Sequence, residues 1–210
     1  MKLVVFGDSI VQGLNDAESN GWVTRLASHL TKRNIETNWN EYHAVFSLGI
    51  AGNTSDDVLE RLEGELSVRG SSRGRILMLA VGINDACSDT VRQAYRVPPE
   101  RYRANLEAMI GVGERECDSI VLVSLLPIIA SMLTPIPWAP ELVLTDAARE
   151  EYDAVLRSVS HDTNTSLVDV FDVFEADTVY LPDGIHPNAA GHERIFRRVL
   201  GFLEEAELLK

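Results

Sequence analysis

The chain has 210 residues, of which 45% are hydrophobic and 24% are charged, and its formal net charge is -13. A chain of this length can bury one sizeable hydrophobic core without metal or disulfide support, so we predict a single domain over residues 1–210. The acidic balance disfavours nucleic acids and anionic membranes as partners, because binding to either depends on Lys and Arg side chains near phosphates.

The cysteines and the first apolar run bear on the compartment. Cys87 and Cys117 are too few for a disulfide framework and do not have metal-ligand spacing. The apolar run 3–6 ends at Gly7 and is too short for a signal-peptide core or a membrane span. We therefore expect a cytoplasmic protein whose partner is a small molecule, and the sequence leaves the oligomeric state open.

Short apolar and β-branched runs alternate with longer amphipathic stretches along the chain. The short runs predict strands at residues 2–6, 43–48, 75–81, 119–125 and 166–170. Apolar residues at helical spacing predict helices at residues 22–30, 58–66, 102–110, 148–159 and about 189–209. Because most strands are continuous apolar runs in βαβ order, we predict one doubly wound parallel sheet with helices on both faces. Active groups would then gather at the carboxyl ends of the strands.

One segment interrupts this alternation. Residues 126–144 contain four prolines, together with Trp138, in a mostly apolar stretch. The prolines disfavour a continuous helix, and a loop this long in a compact domain usually has a function or is disordered. Its apolar content disfavours disorder. Two interpretations stay open: the segment packs over the sheet, or it forms a wall or lid of a hydrophobic substrate pocket.

Ser9 is a candidate nucleophile. It follows the first predicted strand in Phe6-Gly7-Asp8-Ser9-Ile10, where a tight turn would expose its hydroxyl at the edge of the sheet. An Asp-Ser pair after a strand is also an ordinary helix N-cap, so Ser9 alone identifies no site. A serine nucleophile needs a base, and the base needs an orienting group.

Asp183 and His186 can supply the orienting group and the base. They lie in Asp183-Gly184-Ile185-His186-Pro187, just before the last predicted helix. So short a turn can direct the carboxylate toward Nδ1 of the imidazole and leave Nε2 facing outward. A lone Asp-x-x-His is a common accident, but the loops after the first and fifth strands open on the same side of a parallel sheet.

Two further loops carry groups suited to stabilising an oxyanion. The second strand is followed by Gly49-Ile50-Ala51-Gly52-Asn53-Thr54, where a glycine allows close backbone approach with its N–H pointing into the site. The third strand is followed by Gly82-Ile83-Asn84-Asp85, and the amide of Asn84 is a neutral hydrogen-bond donor. Each loop alone is typical of a simple turn. Four such loops on one edge of a sheet favour a catalytic site.

These four blocks resemble those of the SGNH hydrolase superfamily, the GDSL-type esterases and lipases. Ile10 stands where leucine is usual, a departure that leaves the nucleophile intact. The resemblance extends from residue 4 to about residue 192, in the family's order. It implies a three-layer α/β/α sandwich of flavodoxin-like type with a five-stranded parallel sheet. It also implies hydrolysis of an ester without a metal or an organic cofactor.

The same resemblance implies a role for each site residue. Ser9 would attack the acyl carbon, His186 would take its proton, and Asp183 would orient the imidazole. The oxyanion would rest on the backbone N–H groups of Ser9 and Gly52 and on the side chain of Asn84. The second glycine of the Gly-x-Ser-x-Gly motif is missing after Ser9, which separates the chain from the α/β-hydrolase fold.

Other polar residues receive no catalytic role. We expect Asp8 and Asp85 to hold their loops by hydrogen bonds to backbone N–H groups. We expect Cys87 to be a small buried residue and His192 to be a solvated or capping residue of the last helix. An acidic cluster lacks the spacing of a calcium loop, and its members are Asp169, Asp172, Glu175 and Asp177.

The catalytic constellation is compatible with three activities. These are a serine esterase for small or medium acyl groups, a carbohydrate O-deacetylase, and an acyltransferase that passes the acyl group to an alcohol. A non-catalytic binding module would have lost the Ser, His or Asn, and none is missing. Trp138 among aliphatic residues favours an apolar acyl or alcohol group, and the net charge disfavours strongly anionic substrates.

Overall fold

The central sheet of the protein consists of parallel strands. The structure is a computed structural model and describes residues 1–69, 73–174 and 181–209. Within these ranges the sheet has five strands, namely β1 Lys2–Gly7, β2 Ala44–Gly49, β3 Arg75–Ala80, β6 Ser119–Val123 and β8 Ser166–Val168. Their order across the sheet is β2-β1-β3-β6-β8. The predicted doubly wound parallel sheet is confirmed, and each strand begins within one residue of its predicted start.

The strand order reverses direction beside β1, which pairs in parallel with both β2 and β3. In this register Gly7 lies opposite Gly49 on one side and Ala80 on the other. The loops that leave β1 and β3 then run to opposite faces of the sheet and open a crevice at its carboxyl edge. The close backbone packing here excludes a side chain on Gly49, because a Cβ would lie 2.1 Å from the backbone nitrogen of Gln12.

Helices cover both faces of the sheet. Their bounds are α1 Ser9–Gln12, α2 Trp22–Glu36, α3 Ser55–Ser67, α4 Pro99–Glu116, α5 Asp146–Asp162 and α6 Ala189–Glu205. The last helix is thus shorter than the predicted 189–209. Side chains alternate across β1: Val4 and Phe6 pack with α3, α4 and α5, whereas Leu3 and Val5 pack with α2 and α6. This alternation explains why the strand is a continuous apolar run.

Polar side chains fix where the helices nearest the carboxyl edge begin. Thr54 and Asp57 form a reciprocal capping box at the start of α3. Asn188 caps α6, since its side-chain oxygen accepts a hydrogen bond of 3.0 Å from the backbone N–H of Gly191. Each cap satisfies N–H groups that have no partner within the helix. The loops that precede these helices therefore end at defined points.

A small antiparallel sheet, absent from the sequence prediction, lies beside the central one. Its two-residue strands are β4 Ser88–Asp89, β5 Ala94–Tyr95 and β7 Leu142–Val143, in the order β5-β4-β7. Because β7 pairs with β4, this sheet joins the end of segment 126–144 to the chain that follows β3. Leu133, Ile136 and Leu144 anchor the segment in the core. The segment is therefore an ordered part of the fold.

None of the helices in the described ranges is long and apolar enough to cross a membrane.

Candidate active site

Loops at the carboxyl edge of the sheet bring the predicted site residues together. Ser9 opens α1 directly after β1, and Gly52 lies between β2 and α3. Asn84 follows β3, whereas Asp183 and His186 precede α6. Sequence separations of up to 177 residues are bridged in this way.

Ser9, His186 and Asp183 form a continuous hydrogen-bonded chain. Oγ of Ser9 lies 2.8 Å from Nε2 of His186, and Nδ1 of His186 lies 2.8 Å from Oδ2 of Asp183. Ser9 and His186 are almost completely buried, with 5% and 6% of their surfaces exposed. A serine, a base and an orienting carboxylate at these distances match the geometry needed to activate a hydroxyl nucleophile.

Asp183 is held as an anion. Its partial burial acts to raise its pKa, but hydrogen bonds from the backbone N–H and the imidazole of His186 and from the backbone N–H of Ile185 outweigh that effect and lower the pKa below its ordinary value. The two backbone bonds to Oδ1 measure 2.8 and 3.1 Å. Since a carboxylate only accepts hydrogen bonds, Nδ1 of His186 is the protonated nitrogen and Nε2 accepts the Ser9 proton.

Asn15 is a site residue that the sequence did not reveal. Its Nδ2 donates a 2.8 Å hydrogen bond to Oδ2 of Asp183, the same oxygen that accepts from His186. Asn15 adopts a left-handed conformation with φ of 68°, which asparagine tolerates better than most residues. The Gly13-Leu14-Asn15 turn is an ordinary loop pattern, and nothing in it indicates a partner 168 residues away.

Asp8, not Ser9, is the N-cap of α1. Oδ1 of Asp8 accepts a 2.9 Å hydrogen bond from the backbone N–H of Ile10. Ser9 is the first helical residue, so its backbone N–H belongs to the group that has no partner within the helix. The capping interpretation of the Asp-Ser pair therefore applies to Asp8 and leaves both the hydroxyl and the N–H of Ser9 for other contacts.

Gly52 and Asn84 carry the other predicted oxyanion donors. Gly52 has a φ of 80°, in the region that favours glycine, and its carbonyl accepts a 3.1 Å hydrogen bond from Arg96. Nδ2 of Asn84 donates to the carbonyl of Asn53 at 3.0 Å. Because an amide group has two N–H bonds, this contact orients Asn84 and uses one of them. The two donor loops are thus tied to each other.

Two buried carboxyl groups stabilise the loops that carry Ser9 and Asn84. Burial raises the pKa of Asp8 to about 7, and the nearby Asp85 contributes in the same direction. Burial raises the pKa of Asp85 to about 6. Asp85 accepts 3.0 Å hydrogen bonds from the backbone N–H of Ser55 on both oxygens, as well as one from its hydroxyl. Both residues bond to backbone N–H groups, as predicted.

A cleft of about 540 Å³ opens in front of Ser9, a volume typical of small-molecule sites. Segment 126–144 forms one wall of it, and the ring of Trp138 lies 5.6 Å from that of His186. The apolar lining residues include Leu14, Ile136, Ala139, Leu142 and Ile185. Charged residues also line the cleft, namely Asp89, Arg92, Arg96 and Glu141. The segment is a wall, as one interpretation held, but the pocket is of mixed polarity rather than hydrophobic.

His192 and Cys87, neither of which was given a catalytic role, differ in how they match expectation. The prediction of a solvated or capping His192 is wrong: the residue is fully buried, with Nδ1 3.3 Å from the backbone nitrogen of Trp22 and Nε2 3.1 Å from the carbonyl oxygen of Leu14. It thereby holds the loop that carries Asn15. Cys87 is buried as expected, and burial raises the pKa of its thiol to about 11.

The predicted acidic cluster is only partly described. Asp169 pairs with Arg157 at 2.7 Å, and Asp172 pairs with Arg198 at 2.7 Å. These two carboxylates serve ion pairs rather than a common ligand. Glu175 and Asp177 lie outside the described residues.

The doubly wound sheet and the groups on its carboxyl edge define a carboxylic ester hydrolase. The chain belongs to the GDSL-like lipase/acylhydrolase family, whose model matches residues 5–194. This match confirms both the resemblance and the enzyme class that the sequence predicted.

Relatives and solved structures agree with this assignment. The chain is 25% identical over 199 residues to esterase TesA of Pseudomonas aeruginosa, covering 94% of this chain and 85% of that protein. The lipase/acylhydrolase of Enterococcus faecalis is 25% identical with a TM-score of 0.73, covering 98% and 96% of the two chains. The acetylxylan esterase Axe2 of Geobacillus stearothermophilus shares the fold, at 22% identity and a TM-score of 0.70 over 97% and 93%.

The raised pKa of Asp8 predicts a pH-dependent stability. An ordinary aspartate has a pKa near 3.8, whereas that of Asp8 is about 7, so between these values the folded protein holds a proton that the unfolded chain has lost. The stability contributed by this group is present below about pH 4 and is lost as the pH rises through 7. In urea unfolding at pH 5 and pH 8, the native protein should lose more stability than Asp8→Asn on going to pH 8. An equal loss in both proteins would contradict the assignment.

Proposed function

We propose that the protein hydrolyses neutral carboxylic esters of small or medium acyl groups through an acyl-enzyme on Ser9. The observation that carries the proposal is the hydrogen-bonded chain from Ser9 through His186 to Asp183, with both contacts at 2.8 Å. The family match and the esterase relatives support the reaction class.

Acylation begins when Oγ of Ser9 attacks the acyl carbon of the ester. Nε2 of His186 takes the hydroxyl proton as the new C–O bond forms, and the carbonyl electron pair moves onto oxygen. The negative charge of Asp183 stabilises the imidazolium that results. Collapse of the tetrahedral intermediate breaks the bond to the alcohol, which leaves with the proton from Nε2.

The developing oxyanion requires donors that are already in place. In the proposal these are the backbone N–H groups of Ser9 and Gly52 and the side-chain amide of Asn84. Fixed donors in a site that excludes water cost no reorganisation when the charge appears, and one donor is worth about 3 to 4 kcal/mol in the transition state. The helical position of Ser9 and the Asn84 contact to Asn53 support this arrangement.

Deacylation repeats the chemistry with water as the nucleophile. His186 takes a proton from water, which attacks the acyl carbon, and the imidazolium returns a proton to Oγ of Ser9 as the acid departs. These steps use side chains and backbone groups of this chain and need no metal or organic cofactor. An acyltransferase would differ only in having an alcohol in place of that water.

The first test compares esterase kinetics of the native protein with site variants. Ser9→Ala removes the nucleophile and should lower kcat for p-nitrophenyl esters by at least about 10⁴-fold. Asn84→Ala removes one oxyanion donor and should lower kcat by about 10²- to 10³-fold. Measurement over a series of acyl chain lengths gives the preferred substrate at the same time.

A serine away from the cleft provides the control. Ser28→Ala changes an exposed residue of α2 that does not line the cleft, and it should keep native kcat. Native-like activity in Ser9→Ala would refute the acyl-enzyme. An inactive native protein would favour a binding module with a dead site.

A carbohydrate O-deacetylase is the second candidate. Trp138 is 54% exposed beside His186, and an exposed aromatic ring next to charged hydrogen-bonding side chains suits the apolar face and hydroxyls of a sugar. Those side chains are Asp89, Arg92, Arg96 and Glu141. Axe2, which shares the fold, is an acetylxylan esterase, and this likeness supports the candidate.

The two candidates respond differently to loss of the Trp138 ring. If the alcohol part of the substrate is a sugar, Trp138→Ala should raise KM for acetylated xylo-oligosaccharides about tenfold or more while p-nitrophenyl acetate is affected less. Trp39, which is 57% exposed and stacks on Tyr42 before β2, supplies the matched control Trp39→Ala. Equal effects on both substrates would leave the simple esterase as the better description.

A further inference from the structure

Arg61 lies in α3 and makes several contacts with the backbone behind the site. Its Nη2 donates to the carbonyl of Leu48 at 2.7 Å and to that of Gly7 at 3.2 Å. Its Nε donates to Oδ1 of Asn53 at 3.0 Å. The guanidinium carbon lies 5.2 Å from the centre of the Phe6 ring, within the range of a cation–π contact.

Two of these acceptors lie at the ends of the strands that lead to Ser9 and Gly52. Gly7 ends β1, two residues before Ser9, and Leu48 lies at the end of β2, four residues before Gly52. The carbonyl of Gly7 also accepts a 3.2 Å hydrogen bond from the backbone N–H of Ile50, so Arg61 adds a second bond at the place where β1 and β2 end side by side. One guanidinium therefore fixes the points at which both loops leave the sheet.

Asn53 extends this connection to Asn84. Its side chain accepts from Arg61, its backbone N–H donates to the carbonyl of Ile50 at 3.1 Å, and its carbonyl accepts from Nδ2 of Asn84 at 3.0 Å. Each residue in this series restrains the next. The orientations of the Gly52 backbone and of the Asn84 amide thus both depend on where Asn53 is held.

We propose that Arg61 is a positioning residue for the oxyanion hole, acting through the ends of β1 and β2 and through Asn53. Arg61 does not touch the substrate in this arrangement. Its planar guanidinium supplies several N–H donors at fixed angles, which a lysine ammonium at the end of a flexible chain does not reproduce. The inference rests on the proposed function, because it concerns donors that act only in ester hydrolysis.

Arg61→Lys is the decisive variant, since it keeps the positive charge and removes the guanidinium geometry. A small misplacement of catalytic groups can cost about 10²-fold in rate, so we expect kcat for p-nitrophenyl acetate to fall about 10- to 100-fold with KM changed less than about twofold. The rate of Ser9 modification by a fluorophosphonate should fall in parallel, because the phosphoryl oxygen uses the same donors.

The matched control is Arg69→Lys, two residues after the last residue of the same helix. Arg69 also contacts an aromatic ring, with its guanidinium carbon 5.6 Å from the centre of Phe46, but it bonds to Glu65 instead of the strand ends. It should keep the native kcat. Circular dichroism and thermal unfolding of each variant distinguish loss of the fold from displacement of the oxyanion donors in a folded protein.

If Arg61→Lys does not fold, Asn53→Ala is the second variant. It removes the side chain that joins Arg61 to the loop of Gly52, and it should still lower kcat several-fold with KM unchanged.

The outcomes distinguish this inference from the proposed function. Native kcat in a folded Arg61→Lys protein, or a loss of kcat equal to that of Arg69→Lys, would overturn the role of Arg61 while leaving the Ser9 mechanism in place. A folded Asn53→Ala protein with native kcat would overturn it as well. A native protein that hydrolyses no ester and does not react with the fluorophosphonate would instead overturn the proposed function.

Discussion

The parallel pairing of β1 with both β2 and β3 determines where Ser9, Gly52 and Asn84 lie. Because all three strands end at the same edge, the loops that follow them converge, and Gly7 can pack against Gly49 and Ala80 without an intervening side chain. Ser9 begins a helix at this point, and His186 reaches it from the other end of the chain, 177 residues away. The candidate catalytic groups therefore lie on loops of one sheet, whose register is fixed by its two buried faces.

Carboxyl groups at this edge of the sheet have different pKa values according to their role. The pKa of the group that must be charged is lowered, and those of the structural groups are raised. Asp183 lies where hydrogen bonds from two backbone N–H groups, Asn15 and His186 stabilise its anion. Asp8 and Asp85 are buried where charge is costly, and their pKa values rise to about 7 and about 6. Aspartate thus supplies a negative charge beside an imidazole in one loop, whereas in the others it accepts hydrogen bonds from backbone N–H groups and holds the loop in place. The environment, not the sequence motif, makes this distinction.

Sequence patterns predicted the sheet, and they predicted that Ser9, Asp183 and His186 lie at one site. Both predictions were possible because continuous apolar strands and short loop motifs are local signals. Contacts between distant loops left no such signal. Asn15 donates to a carboxylate 168 residues away, and His192 is buried because it bridges the 14–22 loop. The small antiparallel sheet has strands of two residues, too short for any periodicity, and its pairing is what brings charged side chains to the cleft. The apolar composition of residues 126–144 therefore could not predict that the pocket has mixed polarity.

Ser9 is the nucleophile in the proposed mechanism, and peptide mapping after treatment with a fluorophosphonate tests this most directly. The native protein should gain one phosphonyl group, on the peptide that contains Ser9, and should lose esterase activity in proportion to the labelled fraction. His186→Ala should be labelled far more slowly, because the hydroxyl then has no base. An active protein that acquires no label, or that loses activity through a label on a different residue, would contradict the assignment.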